Sequence, residues 1–221
     1  QNYDEWESKQ FLTRFEIPVP DGRLASAAEA PAAAAELEFP VAVKFIHKNI
    51  AHKTDLGALR LHLMTKDEVS EAVADITKRI GISDGKFLIE QMITPVIAEV
   101  LVGVVNDDQF GHVLTIGSGG TLVELIRDTH TLLLPTTRKE IQQTITGLRV
   151  SHLIAGYRNQ TSAPLEHLVD LILRVTYLAE SLGAALGELE LNPVLVSPGG
   201  PVAVDAVLRA SPNQLLASDE E

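Results

Sequence analysis

A lysine inside an apolar strand and a histidine in the loop after it form the part of this sequence best suited to chemistry. The run 40–45 is apolar and β-rich apart from Lys44, and such a run predicts a buried strand. A buried ammonium group needs an anion, because an unpaired charge in an apolar site is very costly. The polar loop 50–57 ends in Gly57 and carries His52, whose imidazole is a nucleophile near neutral pH. This pattern predicts phosphate chemistry, but a lysine that reaches solvent from a strand end beside an ordinary loop explains it equally well.

Two predicted strand ends later in the chain carry oxygen ligands. The run 188–193 places carboxylates and the amide of Asn192 at the end of one strand, and Asp205, thirteen residues later, closes another. Such oxygens at adjacent strand ends, completed by phosphates and waters, suit the octahedral coordination of Mg²⁺. The spacing favours a magnesium site, with a solvated strand end as the alternative.

Glycines and carboxylates in or after predicted strands add to this pattern. The glycine-rich loop 117–120 follows a strand, and glycine lets a backbone approach a phosphate closely. Its spacing matches neither a P-loop nor a dinucleotide fingerprint, so a plain turn is the simpler interpretation. Glu90 and Glu99 lie inside β runs, where carboxylates are seldom fully buried without a partner. A sugar hydroxyl suits one of them, and solvent at an edge strand suits either.

Strands and helices alternate along the chain and must position these groups. Helix-forming or amphipathic stretches predict helices over 3–15, 27–37, 66–80, 137–147 and 164–182, with Ser26 and Thr65 as N-caps of the second and third. β-rich runs predict strands near 41–45, 59–63, 86–93, 97–105, 113–116, 187–191, 193–196 and 201–204. Hairpin candidates in the middle of the chain indicate antiparallel pairing, so we expect an α+β fold. We divide it into an N-terminal helix, 1–15, and two lobes, 16–82 and 83–221.

Composition excludes several classes of protein. The 221 residues carry 18 basic and 30 acidic side chains, a formal net charge of −12 and no basic run, which argues against nucleic acid as a partner. The absence of cysteine excludes disulfides and thiolate sites and fits a reducing compartment, so we expect a cytoplasmic protein. We expect no membrane association, since no apolar run approaches ~20 residues and the polar start lacks a signal peptide. The first residue is Gln1 rather than methionine, so we expect a trimmed chain or a domain of a longer one.

Six segments, taken in order, resemble one family. They are 41–45, the histidine loop 52–57, 108–111, 116–120 with Glu124, 156–158, and 190–193 with 204–205. Together they resemble the ATP-grasp domain of the nucleoside-diphosphate-forming acyl-CoA synthetases, of which the ADP-forming acetate–CoA ligases are typical. The β chains of succinyl-CoA synthetases are more distant relatives. The resemblance covers roughly residues 5–208 and implies an ATP-grasp fold whose two lobes bind a nucleotide between them.

The resemblance also implies a role for each candidate residue. Lys44 would bind nucleotide phosphates, Glu99 would be the carboxylate on the ribose or phosphate side, and His52 would accept phosphate. The others form three groups: Glu90, Gln91 and Met92 at the adenine-side hinge, Gly119 and Gly120 around the transferred phosphoryl group, and Asn192 and Asp205 as ligands of Mg²⁺. ATP or ADP and Mg²⁺ would be the cofactors. Phosphoryl transfer mainly needs positioning and charge neutralisation, which this set would supply.

The same resemblance implies an enzyme that works with a partner. The reaction would be acyl-CoA + ADP + phosphate = carboxylic acid + CoA + ATP, through phosphohistidine. CoA-binding domains or a subunit would carry a second phosphohistidine and bind CoA and the acid.

Departures from the family's pattern keep a second hypothesis open, an ATP-grasp domain that binds nucleotide as a sensor or scaffold without transferring phosphate. They are His47-Lys48 before the histidine loop, Ala58 after Gly57, Leu132 in place of an arginine, and Asn159 after Arg158. Retention of the four principal site residues favours the enzyme. These residues are Lys44, His52, Asn192 and Asp205.

Overall fold

The structure is a computed structural model, and it describes residues 2–47, 57–82, 84–120, 128–159 and 161–211. The chain divides into two compact units: the smaller unit is Pro20–Met92, and the larger unit combines Gln1–Val19 with Ile93–Glu221. The predicted boundary at 82/83 lies ten residues before the one between Met92 and Ile93. The reason is that the strand Lys86–Gln91 pairs within the sheet of the smaller unit. The predicted N-terminal helix is not a separate part of the fold, because it belongs to the larger unit.

The described ranges contain eleven strands and six α-helices. The strands are β1 (Asn2–Tyr3), β2 (Gly22–Ala25), β3 (Val41–Ile46), β4 (Leu59–Leu63), β5 (Lys86–Gln91), β6 (Ala98–Asp107), β7 (Gly111–Ser118), β8 (Thr129–Leu133), β9 (Leu186–Ser197), β10 (Gly200–Ala203) and β11 (Ala206–Ala210). The helices are α1 (Glu5–Arg14), α2 (Ala30–Ala34), α3 (Lys66–Ile80), α4 (Arg138–Gly147), α5 (Val150–Ile154) and α6 (Leu165–Leu182). Two short 3₁₀ turns, Tyr157–Asn159 and Gly183–Ala185, flank α6.

The smaller unit is a four-stranded antiparallel sheet covered by two helices. Its strand order is β2–β5–β3–β4, and alternate residues of β3 and β5 pack with α2 and α3 in an apolar core. The N-cap of α3 is Thr65, whose hydroxyl accepts from the N–H of Glu68, and its C-cap is Gly81, whose φ is 68°. Threonine at the N-cap and a left-handed glycine at the C-cap are common helix ends, which explains why the sequence predicts this helix closely.

The larger unit is built on a seven-stranded antiparallel sheet. Its strand order is β1–β11–β9–β6–β7–β8, with β10 paired to β9. The apolar side of α6 lies in the core of this unit, together with buried residues of α4, α5 and the central strands. Alternation along β6 and β9 leaves Glu99, Glu190 and Asn192 on the opposite side from the buried residues. In the described ranges, neither α6 nor any other helix is long and apolar enough to cross a membrane.

Some elements differ from their predicted extent. The Ala-rich helix predicted over 27–37 is only Ala30–Ala34, and its N-cap position is Glu29, not Ser26. The hydroxyl of Ser26 instead donates to the Glu29 carboxylate at 2.6 Å. The strands predicted over 187–191 and 193–196 are one strand, β9, which stays paired through a bulge. The sequence patterns do not predict β1, β2, β8, β11 or α5, each of which has five residues or fewer.

Candidate functional site

A turn after β7 in the larger unit brings two glycines against β6 and β9. The N–H of Gly119 donates to Glu99 O at 2.7 Å, and the N–H of Gly120 donates to Asn192 Oδ1 at 3.2 Å. A Cβ at position 119 would lie 2.6 Å from backbone atoms of Val100, and one at position 120 would lie 1.8 Å from Glu99 Oε2. The contact at position 119 is with backbone atoms, and at position 120 the φ of 79° disfavours residues with a side chain, so both positions favour glycine.

Asn192 reaches this turn because β9 carries a bulge. β6 and β9 pair regularly on both sides of Asn192 and Pro193, but these two residues lie opposite Leu101 alone. A bulge takes its extra residue out of the ladder and redirects the side chain. The amide oxygen of Asn192 therefore turns to the N–H of Gly120.

Asp205 lies on the connection between β10 and β11, beside the same bulge. β10 pairs with β9 directly after Pro193, and β11 pairs with it directly before Asn192. The connecting residues Val204 and Asp205 therefore run next to the bulge. The N–H of Val204 donates to Pro193 O at 3.2 Å, and Asp205 Oδ1 accepts from the N–H of Ala206 at 2.9 Å.

We call Glu99, Gly119, Gly120, Asn192 and Asp205 the bulge corner. Its side-chain oxygens, from carboxylates and an amide, are the kind of ligand that Mg²⁺ prefers. A carbonyl oxygen has two lone pairs, so Asn192 Oδ1 can accept from Gly120 and also bind a cation. No group of three or more His, Cys, Asp or Glu side chains among the described residues could hold a metal ion.

Both glycine N–H groups of the bulge corner are already used within the larger unit. The predicted cradle around a phosphoryl group therefore remains a prediction. It requires these two groups to exchange their present acceptors, Glu99 O and Asn192 Oδ1, for phosphate oxygens.

Lys44 is buried in the smaller unit beside a carboxylate. Its Nζ lies 2.8 Å from Glu90 Oε2, and the two side chains are 9% and 3% exposed. Lys44 pairs with Leu88 across β3 and β5, and Ala42 pairs with Glu90, so the two charged residues are diagonal neighbours on one face. The prediction of a buried lysine beside an anion is confirmed. The anion is a carboxylate of the protein itself. Glu90, predicted at the adenine-side hinge, is that partner.

The two residues after Glu90 use their N–H groups within the smaller unit. The N–H of Gln91 donates to Asp21 O and the N–H of Met92 donates to Pro40 O, each at 2.9 Å. Recognition of adenine by residues 90–92 therefore remains a prediction. It would have to use atoms other than these two N–H groups, which are already bonded.

The predicted phosphate acceptor, His52, lies outside the described residues. Three departures from the family's pattern can be placed. Ala58 is fully buried in the core of the smaller unit, and Leu132 packs against the core of the larger one. His47 Nε2 lies 3.6 Å from Asp84 Oδ1. Ala58 and Leu132 therefore each contribute to packing.

Helix α1 carries a buried ion pair that the sequence patterns do not identify. Lys9 and Glu5 are 1% and 4% exposed, and Lys9 Nζ lies 2.8 Å from Glu5 Oε1. The spacing of four residues on a predicted helix is a signal of such a pair. Burial of the pair follows only from long-range packing: Lys9 Nζ also donates to Val204 O at 2.8 Å, next to the bulge corner.

Similar sequences are found among acetate–CoA ligases. A family model described as an ATP-grasp domain matches residues 1–210. The chain is 35% identical over 210 residues to the β subunit of ADP-forming acetate–CoA ligase II of Pyrococcus furiosus, covering 91% of this chain and 89% of that one. It is 34% identical over 206 residues to ADP-forming acetate–CoA ligase II of Archaeoglobus fulgidus, covering 91% of this chain and 29% of that one. Related sequences thus occur both as a subunit and within a longer chain.

Solved structures share the fold. One is a dinucleotide-forming acetyl-coenzyme A synthetase 1 of Ca. Korarchaeum cryptofilum in complex with coenzyme A, Ca-AMPCP and HgCl⁺. It matches with a TM-score of 0.88 and 28% identity, over 96% of this chain and 94% of that one. The same synthetase with coenzyme A and Mg-AMPPCP, its phosphohistidine segment pointing towards the nucleotide binding site, matches with a TM-score of 0.83 and 28% identity, over 95% of this chain and 93% of that one.

Proposed function

This chain belongs to the ATP-grasp domains of the ADP-forming acyl-CoA synthetases, and we propose that it is the nucleotide-binding, phosphoryl-transferring module of such an acid–thiol ligase. The observation that carries the proposal is a match over nearly the whole chain to a β subunit of this activity. The bulge corner and the buried Lys44 support it, because they supply the oxygen ligands and the cation that nucleotide phosphates require.

The proposed step moves one phosphoryl group between ATP and a histidine. A ring nitrogen of His52 attacks the γ-phosphorus with its lone pair and forms an N–P bond. The bond from that phosphorus to the bridging oxygen breaks, and ADP leaves with the electron pair. In this direction the full cycle converts the carboxylic acid, CoA and ATP into acyl-CoA, ADP and phosphate, and the reverse direction forms ATP.

The described residues would bind and orient the nucleotide. Lys44 would hold phosphate oxygens, with Glu90 keeping its ammonium group in place. Glu99 would face the ribose or phosphate side, and the two glycines of the bulge corner would let phosphate approach the backbone.

Asn192 and Asp205 would hold Mg²⁺. The fit follows from the chemistry of the bulge corner, which offers amide and carboxylate oxygens as ligands beside a turn that favours glycine. The ion would neutralise phosphate charge when bound.

The complete reaction would require a partner. The Archaeoglobus fulgidus relative is more than three times as long as the matched region, since the match covers 29% of it. We infer that CoA-binding domains, on another chain or another part of this one, carry the second phosphohistidine and bind CoA and the acid.

The test is phosphorylation of His52. Incubated with γ-labelled ATP and Mg²⁺, with the CoA-binding partner supplied, the protein should carry an acid-labile phosphate on this histidine. His52→Ala should abolish the label and acyl-CoA synthesis but keep nucleotide binding, because Lys44 and the metal ligands do the binding. His130→Asn, on the exposed strand β8, is the matched control and should label normally.

Two results would contradict the proposal in different ways. Full ligase activity in the His52→Ala protein would reject the carrier role of the histidine. A wild-type protein that binds ATP but never labels would instead be a binding module without phosphoryl transfer.

A further inference from the structure

The ion pair on α1 contacts the connection that carries Asp205. Glu5 and Lys9 lie one turn apart and are almost fully buried. Lys9 Nζ donates to Glu5 Oε1 and to Val204 O, each at 2.8 Å. Val204 directly precedes Asp205, although 195 residues separate it from Lys9.

We propose that Lys9, held by Glu5, is a positioning residue for Asp205. The inference rests on the proposed function, because it requires Asp205 to be a ligand of Mg²⁺. Lys9 would act through the backbone: it fixes the carbonyl of Val204 and thereby the direction in which the Asp205 side chain leaves the chain.

The geometry of the peptide unit explains how a bond to one residue orients the next. The C=O of Val204 and the N of Asp205 belong to one planar group, so the bond from Lys9 sets the orientation of that plane. The N–H of Val204 donates to Pro193 O on the other side, and the N–H of Ala203 donates to Pro18 O at 2.8 Å. The connection is therefore held at its β10 end, and the bond from Lys9 is to the residue directly before Asp205.

Stability alone is a poor explanation for this pair. Removing two charges from water is costly, and apolar side chains of similar volume often replace a buried ion pair at no loss of stability. A charged donor instead gives a short, strong and directional bond to the Val204 carbonyl. The pair thus resembles the outer partners that orient metal ligands in other proteins.

The test separates the metal-dependent part of nucleotide binding from the rest. ADP is titrated calorimetrically into the full chain, once with Mg²⁺ and once with a chelator, and the ratio of the two affinities is the gain from the metal. In the double variant Glu5→Leu/Lys9→Met, both charges are replaced by apolar groups, so the fold should persist. Its affinity for metal-free ADP should be unchanged, and the gain from Mg²⁺ should fall by about tenfold or more.

Two single variants separate positioning from general destabilisation. Glu5→Gln weakens the pair but keeps the Lys9 donor, so it should lower the melting temperature and keep most of the gain from Mg²⁺. Arg209→Met removes the partly exposed ion pair with Glu188 on neighbouring strands of the same sheet and should change neither quantity.

The outcomes distinguish this inference from the proposed function. A folded Glu5→Leu/Lys9→Met protein that keeps the whole gain from Mg²⁺ overturns the positioning role and leaves the proposed function intact. Equal losses of affinity with and without Mg²⁺, in proportion to the fall in melting temperature, also overturn it, because a merely structural pair behaves in that way. A wild-type chain that shows no gain from Mg²⁺ rejects the metal site itself and this inference with it.

Discussion

Lys44 and Glu90 meet through the register of two strands. The apolar run around Lys44 predicts its burial, but the sequence cannot identify Glu90 as the partner, since the two residues become neighbours only when β3 pairs with β5. A nucleotide phosphate that binds Lys44 would therefore meet an ammonium group that a carboxylate already holds. Such a lysine loses less side-chain entropy on binding than a mobile one.

Replacing Lys44 tests both consequences of this pair. Lys44→Met leaves the Glu90 carboxylate buried without the ammonium group, and we expect a loss of about 3–5 kcal/mol in the free energy of unfolding. We also expect the affinity for ADP to fall by roughly tenfold or more, because a hydrogen bond to a charged group contributes about 1.5–3 kcal/mol. Urea unfolding and calorimetric titration measure the two effects.

The double variant Lys44→Met/Glu90→Leu separates the loss of stability from the loss of ADP affinity. Removing both charges should recover most of the stability without restoring ADP affinity. A double variant as unstable as Lys44→Met, or a Lys44→Met protein with unchanged ADP affinity, would contradict the roles assigned to the pair.

At the scale of elements, the turn after β7 packs so closely against the backbone of β6 that a side chain at Gly119 would clash with it. Gly119→Ala would place a Cβ 2.6 Å from the backbone of Val100, so β6 or the turn must move. We expect a loss of about 1–3 kcal/mol in the free energy of unfolding, typical of overpacking. Nucleotide affinity should fall as well, because the same movement displaces Glu99 and Gly120.

Gly147→Ala is the matched control for this substitution. Gly147 ends α4, and a Cβ there meets no atom within 4 Å. Alanine should be neutral or stabilise by roughly 0.4–1 kcal/mol through the entropy of the unfolded chain. Equal stability of the two variants would show that the turn is not constrained by β6.

Hydrogen bonds at the N-terminus of α4 predict that the stability of the protein depends on the ionisation of Glu140. Bonds from the hydroxyl and N–H of Thr137 and from the hydroxyl of Thr136 hold the pKa of the Glu140 carboxyl below its usual range. Because the folded pKa is depressed, the stability from this group is present above the unfolded pKa, about 4.3, and is lost as pH falls through the folded value. Thr137→Val should therefore raise the pKa of Glu140 in an NMR titration.

Glu29 provides an internal reference in the same titration. Its pKa is lowered by bonds from Ser26 and should be identical in the parent and the Thr137→Val protein. An unchanged Glu140 midpoint in the variant would show that the threonine hydroxyl does not cause the shift.

The sequence predicts best those helices whose ends are marked by local signals such as N-cap residues. Thr65 and Thr137 are N-caps in the structure, and the helices that follow them begin and end close to the predicted residues. The ATP-grasp fold and the antiparallel pairing are confirmed as well. Short strands such as β1 and β2 gain their stability from partners distant in sequence, so local patterns do not reveal them. For the same reason the sequence names Asn192 but cannot show that a bulge directs it to Gly120.

At the scale of the whole molecule, nucleotide binding should require residues of both units. Mg·ADP at 100 times its dissociation constant should stabilise the native chain by about 2.7 kcal/mol, or roughly 5–10 °C in melting temperature for a chain of this size. Lys44→Met in the smaller unit and the isosteric Asp205→Asn in the larger unit should each reduce this shift. Thermal unfolding with and without Mg·ADP measures it.

Arg209→Met, outside the bulge corner, should keep the full thermal shift. A full shift in either the Lys44→Met or the Asp205→Asn protein would mean that the unit concerned does not contribute to binding. In that case the nucleotide site predicted from the two sets of residues would have to be assigned to one unit alone.

The pairing of β1 with β11 has a consequence for synthesis on the ribosome. Asn2 and Tyr3 pair with Arg209 and Leu208. Roughly two hundred further residues must therefore be synthesised after β1 before its partner strand exists. At elongation rates of ~5–20 residues per second, that delay is about 10–40 s. The smaller unit is contiguous and can close its core in the meantime. During this interval the apolar residues of the first segment, Phe11, Leu12 and Ile17, have no completed core to enter. During synthesis a folded insertion therefore separates the exposed, aggregation-prone residues of this segment from the residues that will cover them.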